Sequence, residues 1–283
     1  MALLTEKFVP IAVDEWYQHR QKDAEGDFYR EVVYQGPRGK TENETTQGLY
    51  AFRADGKLLG YTNNRDVEKV RAMLKKALKD FTPPDEVAEI KEGKKDPYFV
   101  RTPPEGGLVV DVTSKVLGGY DEPKNDYEKL FQAALGRDHL WIRKDEAEAL
   151  AKGELAESLK LRIARFHFVD NTRGEPPMWE RSEVASLDIT LKDGVIEGAI
   201  HLETKSGGRG FVASIRGVVE VKEGRVARFD LAAKGEFWGC GTYTPNPPKG
   251  KFPFAVTLRL AAGTATMDRV PPQGSRDLRD YLK

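Results

Sequence analysis

The chain has 283 residues, of which 39% are hydrophobic and 32% charged, enough for one large or two ordinary domains with their own cores. No apolar run approaches the roughly 18 residues of a membrane helix. Lys plus Arg and Asp plus Glu number 45 each, so no global field attracts a polyanion. These balances exclude an integral helical membrane protein and remove the usual first sign of nucleic-acid binding.

The first section, 1–84, opens on Phe8-Val9-Pro10-Ile11-Ala12-Val13, an apolar run of buried-strand type in which Pro10 signals an edge or a bend. A helix is expected around Phe28 to Tyr34, and Gly36 to Thr46 reads as an exposed loop. Leu49-Tyr50-Ala51-Phe52 and Leu58-Leu59-Gly60-Tyr61 flank Asp55-Gly56, a hairpin signal. A helix follows, capped by Asn64 or Asp66, with Val67, Val70, Leu74, Ala77, Leu78 and Phe81 at spacings of three and four and Arg71, Lys75, Lys76 and Lys79 opposite. Pro83-Pro84 ends it.

The run GLYAFRADGKLLGYTNNRDVEKVRAMLKKALKDF, Gly48 to Phe81, resembles the final hairpin and closing helix of a thioredoxin-like domain. The resemblance spans at most this first section and implies a small sheet closed by an amphipathic helix. The Cys-x-x-Cys pair of the redox members is missing, because the section contains no cysteine. Thiol exchange is therefore not expected, and the domain reads as scaffold or partner surface.

Residues 85–107 are polar and then Pro/Gly-rich, ending in Pro103-Pro104-Glu105-Gly106-Gly107, and read as a linker. The second domain, 108–283, opens with a strand at Leu108 to Val112. Asn125 or Asp126 caps a helix carrying Tyr127, Leu130, Phe131, Ala134 and Leu135, stopped by Gly136. Lys144 to Lys152 and Leu155 to Phe166 read as further helix. His139 reads as a loop or capping residue.

From Arg165 to Gly263 apolar residues alternate with polar ones through five or six strands, an antiparallel meander. Leu187, Ile189 and Leu191 end at Asp193-Gly194. Ile196, Gly198, Ile200 and Leu202 share one face of the return strand, with Glu197, His201 and Glu203 on the other. Phe211 to Val221, then Ala227 to Ala233, then Phe254 to Leu260 continue the pattern. The expected fold is α+β: a small thioredoxin-like N-terminal domain, then an antiparallel meander curved into a partial or closed barrel with a few helices. A curved sheet of this kind commonly cups a ligand.

Two stretches carry most of the chemistry. In RFHFVDNTRGEPPMWERSEV, Asp170, Asn171, Arg173 and Glu175 crowd one loop: Arg173 offers a fork for carboxylate or phosphate, Asp170 or Glu175 an acid or base, and Trp179 an apolar plate. In GEFWGCGTYTPNPPKGKF, Gly235, Gly239 and Gly241 permit close backbone approach around Phe237, Trp238, Cys240 and Tyr243. Gly207-Gly208-Arg209-Gly210 reads as a plain hairpin turn. The ligand-binding set is thus Asp170, Asn171, Arg173, Glu175, Trp179, Trp238 and Tyr243.

No histidine pair has the spacing of a helical metal motif. His167 and His201 are both expected on strands, with Glu203 and Asp230 on polar sheet faces; together they would suit a transition metal, the one cofactor class these residues suggest. Two functions follow. The first is a ligand-binding or protein-interaction protein with its pocket at the rim of the second domain, and the alternative is a metal-dependent hydrolytic or oxidative enzyme. Neither nucleic acid nor membrane is an expected partner, since the basic face of the Asp66 to Lys79 helix lacks interleaved aromatics. The single cysteine, Cys240, leaves the compartment open. Met1 to Lys7 is too short and too charged for a signal peptide, so the default expectation is cytoplasmic, with a removed leader still compatible.

Overall fold

A computed structural model describes residues 2–41, 43–85, 93–96, 98–99 and 102–283. Part of the expected linker, 86–92, 97, 100 and 101, lies outside the described residues. The chain divides into two compact units, Met1–Arg101 and Thr102–Lys283.

The first unit contains α1 (Ala2–Lys7), α2 (Glu15–Arg20), α3 (Ala24–Val33), the hairpin β1 (Leu49–Phe52) and β2 (Leu58–Thr62), and α4 (Val67–Lys79). Aspartates start three of the helices: Asp14, Asp23 and Asp66 accept from the backbone N–H groups of Trp16, Gly26 and Lys69. The Asp23 cap explains why α3 begins four residues before Phe28. Ala51, Leu74 and Ala77 form the core between hairpin and α4, joined by Leu3, Leu4 and Phe8. The expected buried strand over Phe8 to Val13 is absent: Val9 is 84% and Ile11 66% exposed, and Pro10 removes a ladder donor from a run with no strand beside it.

The second unit is built on seven antiparallel strands: β3 (Leu108–Val116), β4 (Gly136–Ile142), β5 (Val184–Lys192), β6 (Val195–Glu203), β7 (Gly210–Lys222), β8 (Arg225–Trp238) and β9 (Lys251–Leu260). Their order is β4-β3-β9-β8-β7-β6-β5, so the last five form a meander and β3 returns beside β9. Asp193-Gly194 and Glu223-Gly224 all have positive φ, and each pair closes a two-residue hairpin whose twist matches the strands. The sheet is open. Its margins, β4 and β5, do not pair, and the closed form of the expected barrel is not what these strands make.

Period-two alternation places Ile196, Ile200, Leu202, Phe211, Ile215, Phe229, Leu231, Phe237, Phe254, Val256 and Leu258 on one buried face. Gly198, Gly217 and Gly235 lie on that face where a Cβ would meet the neighbouring strand's carbonyl oxygen at 2.1, 2.4 and 1.9 Å. These side-chain-free points let adjacent strands approach closely and the sheet bend over its core. The core is closed by α6 (Lys144–Ala151), α7 (Glu157–Arg162) and a π-helical turn, Ile163–His167, which contribute Leu150, Leu159, Ile163 and Ala164. The helix α5 (Asp126–Gln132) lies where its pattern predicts, with Asn125 as its cap.

The helical reading of Leu155 to Phe166 matches α7 and the π-turn that continues it, whereas His167, expected on a strand, is the last residue of that turn. His139 is the reverse correction: it stands in the middle of β4, pairing with Asp111 of β3. A second apolar cluster, Val109, Trp141, Phe166 and Tyr281, anchors the terminal helix α8 (Leu278–Tyr281).

Candidate functional site

The two chemically dense stretches meet. Gly174 abuts the Tyr243 carbonyl and Gly241 abuts the ring of Pro177, while Gly239, at φ 80°, lies against Gly208 and Arg209. Around this junction is a shallow, open groove of about 480 Å³ lined by Pro177, Met178, Glu180, Glu183, Thr204, Ser206, Gly208, Arg209 and Cys240. The segment from Pro177 to Glu183 forms one wall and the turn between β6 and β7 the other.

Arg209 fixes the floor. Its guanidinium lies 3.8 Å from the centre of the Trp179 ring, and its Nη1 and Nη2 donate to the carbonyls of Pro177 (2.5 Å) and Met178 (3.2 Å). Burial lowers its pKa, an effect opposed by Glu183, whose Oε2 is 3.9 Å away. Trp179 is fully buried and donates from Nε1 to the Phe168 carbonyl at 2.9 Å, so the stacked pair ties turn, loop and core into one unit. Glu183 also accepts from the Glu180 N–H at 2.9 Å. Cys240 is exposed at the rim.

The residues expected to bind ligand are distributed differently. Asp170 and Arg173 are buried and form an ion pair, Oδ2 to Nη2 2.8 Å, and Asp170 Oδ1 accepts from the N–H and hydroxyl of Thr172. Arg173 covers the Phe252 ring at 5.8 Å. Asn171 accepts from the Ser114 hydroxyl at 2.5 Å and donates to the Arg137 carbonyl, bracing β3 and β4. Glu175 pairs with Arg276. Trp179 belongs to the core rather than presenting a plate to solvent. Trp238 donates to the Gly207 carbonyl and lies under Lys251, and Tyr243 is exposed. None of the seven lines the groove, although their flanking residues do. Arg209, dismissed in sequence as turn, is its organising residue; a lone arginine inside a glycine-rich hairpin facing no acidic neighbour in sequence was the available signal.

The four expected metal ligands do not assemble into one donor set. His167 is buried in the π-turn, Nδ1 3.2 Å from Asp138 and Nε2 2.8 Å from the Tyr281 hydroxyl. His201 is on the outer sheet face with Glu203 at 2.9 Å, and Asp230 is held by Arg228 at 2.5 Å. The Asp138-His167-Tyr281 chain has the order of a catalytic relay, but its terminal hydroxyl is buried and burial raises the tyrosine pKa well above its ordinary value. It secures the C-terminal helix. No helix among the described residues is long and apolar enough to cross a membrane. Comparison with protein-family models, curated proteins and solved structures finds no match to this chain.

Proposed function

We propose that this is a binding protein without thiol redox activity, whose ligand lies in the groove between Pro177–Glu183 and Thr204–Arg209. The observation that carries the reading is the Arg209–Trp179 stack, which holds both walls in a preformed geometry. The chemistry of the walls indicates the ligand. Two carboxylates, two hydroxyls and Met178 line the groove, while its one cation, Arg209, is committed to an aromatic face and two carbonyls. That balance favours a ligand that donates hydrogen bonds and carries positive charge, such as a lysine-bearing peptide segment. The first unit, read as thioredoxin-like and without cysteine, serves as scaffold or partner surface.

Cys240 supplies the test, since it is the single thiol and stands at the groove rim. Its modification rate by a disulfide reagent is measured with lysine-bearing and glutamate-bearing peptides of equal length. The lysine peptide is expected to slow the reaction in the wild type and not in a Glu180→Lys/Glu183→Lys variant. Equal protection by both peptides, or by neither, would remove the proposal.

A further inference from the structure

A second polar constellation lies on the outer face of β3 and β4, at the sheet margin opposite β5. Asp111 and His139 are cross-strand partners, and Asp268, from the 3₁₀ turn Thr266–Arg269, reaches the same point. One donor atom of each lies within 4.8 Å of the other two.

The charges do not balance. Asp268 is 6% exposed, and among the described residues the single partner of its carboxylate is the Ala265 N–H at 3.1 Å. His139 is 8% exposed, and its Nε2 stands 3.4 Å from Asp111 Oδ1, beyond a good hydrogen bond, with no other ring partner among the described residues. Neither carboxylate has a Lys or Arg within ion-pair distance among the described residues; Arg259, opposite Asp111 on β9, is exposed. A buried carboxylate beside a second one is unfavourable without compensating charge. A divalent cation held by the two carboxylates and the imidazole cancels both negative charges.

We infer that Asp111, His139 and Asp268 form a binding site for a divalent cation of the zinc or manganese class. One imidazole and two carboxylates suit a transition-metal dication, which accepts a nitrogen ligand beside carboxylate oxygens, better than magnesium or calcium, which prefer an all-oxygen shell. Asp111 is half exposed, so water completes the coordination from the solvent side. The cation fastens the Thr266–Arg269 turn to the two strands. This site is independent of the groove.

The test uses the full chain, stripped with chelator and titrated with Zn²⁺ by calorimetry. One site per chain is expected, with affinity reduced at least tenfold in His139→Gln and in Asp268→Asn, the latter keeping an acceptor for Ala265. His201→Ala, which alters a solvent-facing imidazole–carboxylate pair elsewhere on the sheet, is expected to bind as wild type. Mn²⁺ added to isotope-labelled wild-type protein gives a readout that needs no variant: signals of 137–141 and 266–269 broaden first. An absence of binding, undiminished binding in both variants, or broadening centred elsewhere would overturn the site.

Discussion

Nε2 of His167 lies 2.8 Å from the hydroxyl of Tyr281, 114 residues later, and that hydroxyl also accepts the Trp141 N–H at 3.2 Å. With Nδ1 facing the Asp138 carboxylate, the consistent tautomer has Nδ1 protonated and Nε2 accepting from the tyrosine. One phenol thus joins the π-turn, β4 and the end of the chain. Tyr281→Phe keeps the ring packing but leaves His167 Nε2 and the Trp141 N–H unsatisfied in a dry environment. The expected loss is about 1–3 kcal/mol of unfolding free energy in urea, with an unchanged slope. A cost near zero would show that the chain end is not part of the cooperative unit.

The Glu146–Arg162 pair gives the fold an acid-sensitive element. Arg162 donates to both carboxylate oxygens at 2.6 and 3.0 Å, and both side chains are 1% exposed. Burial raises the Glu146 pKa, but the hydrogen bonds from Arg162 and Ser158 outweigh it and hold the group below its ordinary 4.5. A depressed folded-state pKa contributes stability present above the unfolded value and lost as pH falls through the folded one. Glu146→Gln is therefore expected to destabilise by about 3–5 kcal/mol at neutral pH. That difference should shrink progressively below about pH 4.5, because the wild type then loses the same contribution. A difference constant from pH 7 to pH 3 would contradict the assignment.

The meander was legible because Asp193-Gly194 and Glu223-Gly224 announce their own turns and the strands between them keep a strict two-residue period. β4 was not, since Gly136-Arg137-Asp138-His139 looks like the end of α5, and what makes it a strand is pairing with β3, a tertiary fact. The same blindness hid the groove. Arg209 acquires meaning only when the chain brings Trp179 beneath it, 30 residues away in sequence, and Asp170 and Arg173, which look like exposed chemistry, are consumed by each other. His167 was misplaced for a related reason: helix continuation through Arg162 into a π-turn depends on burial against the sheet, not on local alternation.

Arg209→Gln tests whether the stack organises the groove. Glutamine can reach one of the two carbonyls but has no charge to place over Trp179, so the wall containing Pro177 and Met178 should loosen. Loss of a desolvated cation–π contact and a charged hydrogen bond is expected to cost about 2–3 kcal/mol. The local consequence is more specific: amide exchange from Met178 to Glu183 should accelerate, while exchange in β8 and β9 stays close to wild type. Uniform acceleration throughout the sheet would mean that Arg209 supports the fold rather than the groove.

The three glycines on the inner face predict how the sheet tolerates bulk. At Gly235 an added Cβ would lie 1.9 Å from the Val212 carbonyl oxygen and 2.6 Å from the Ala213 Cα, both backbone atoms of β7 that cannot rotate away. Gly217 meets the Asp230 carbonyl at 2.4 Å from the opposite strand. Alanine at either position must therefore push β7 and β8 apart, an overpacking effect of about 1–3 kcal/mol. Ala232→Ser, on the exposed face of the same strand, is expected to change stability by less than about 0.5 kcal/mol. Because the Gly235 and Gly217 substitutions strain the same pair of strands, the double variant should lose less than the sum of the two: once the strands have separated, the second methyl finds space already made. Strictly additive losses would show that the two close approaches are relieved independently, and that the bend is distributed along the sheet rather than concentrated where β7 and β8 meet.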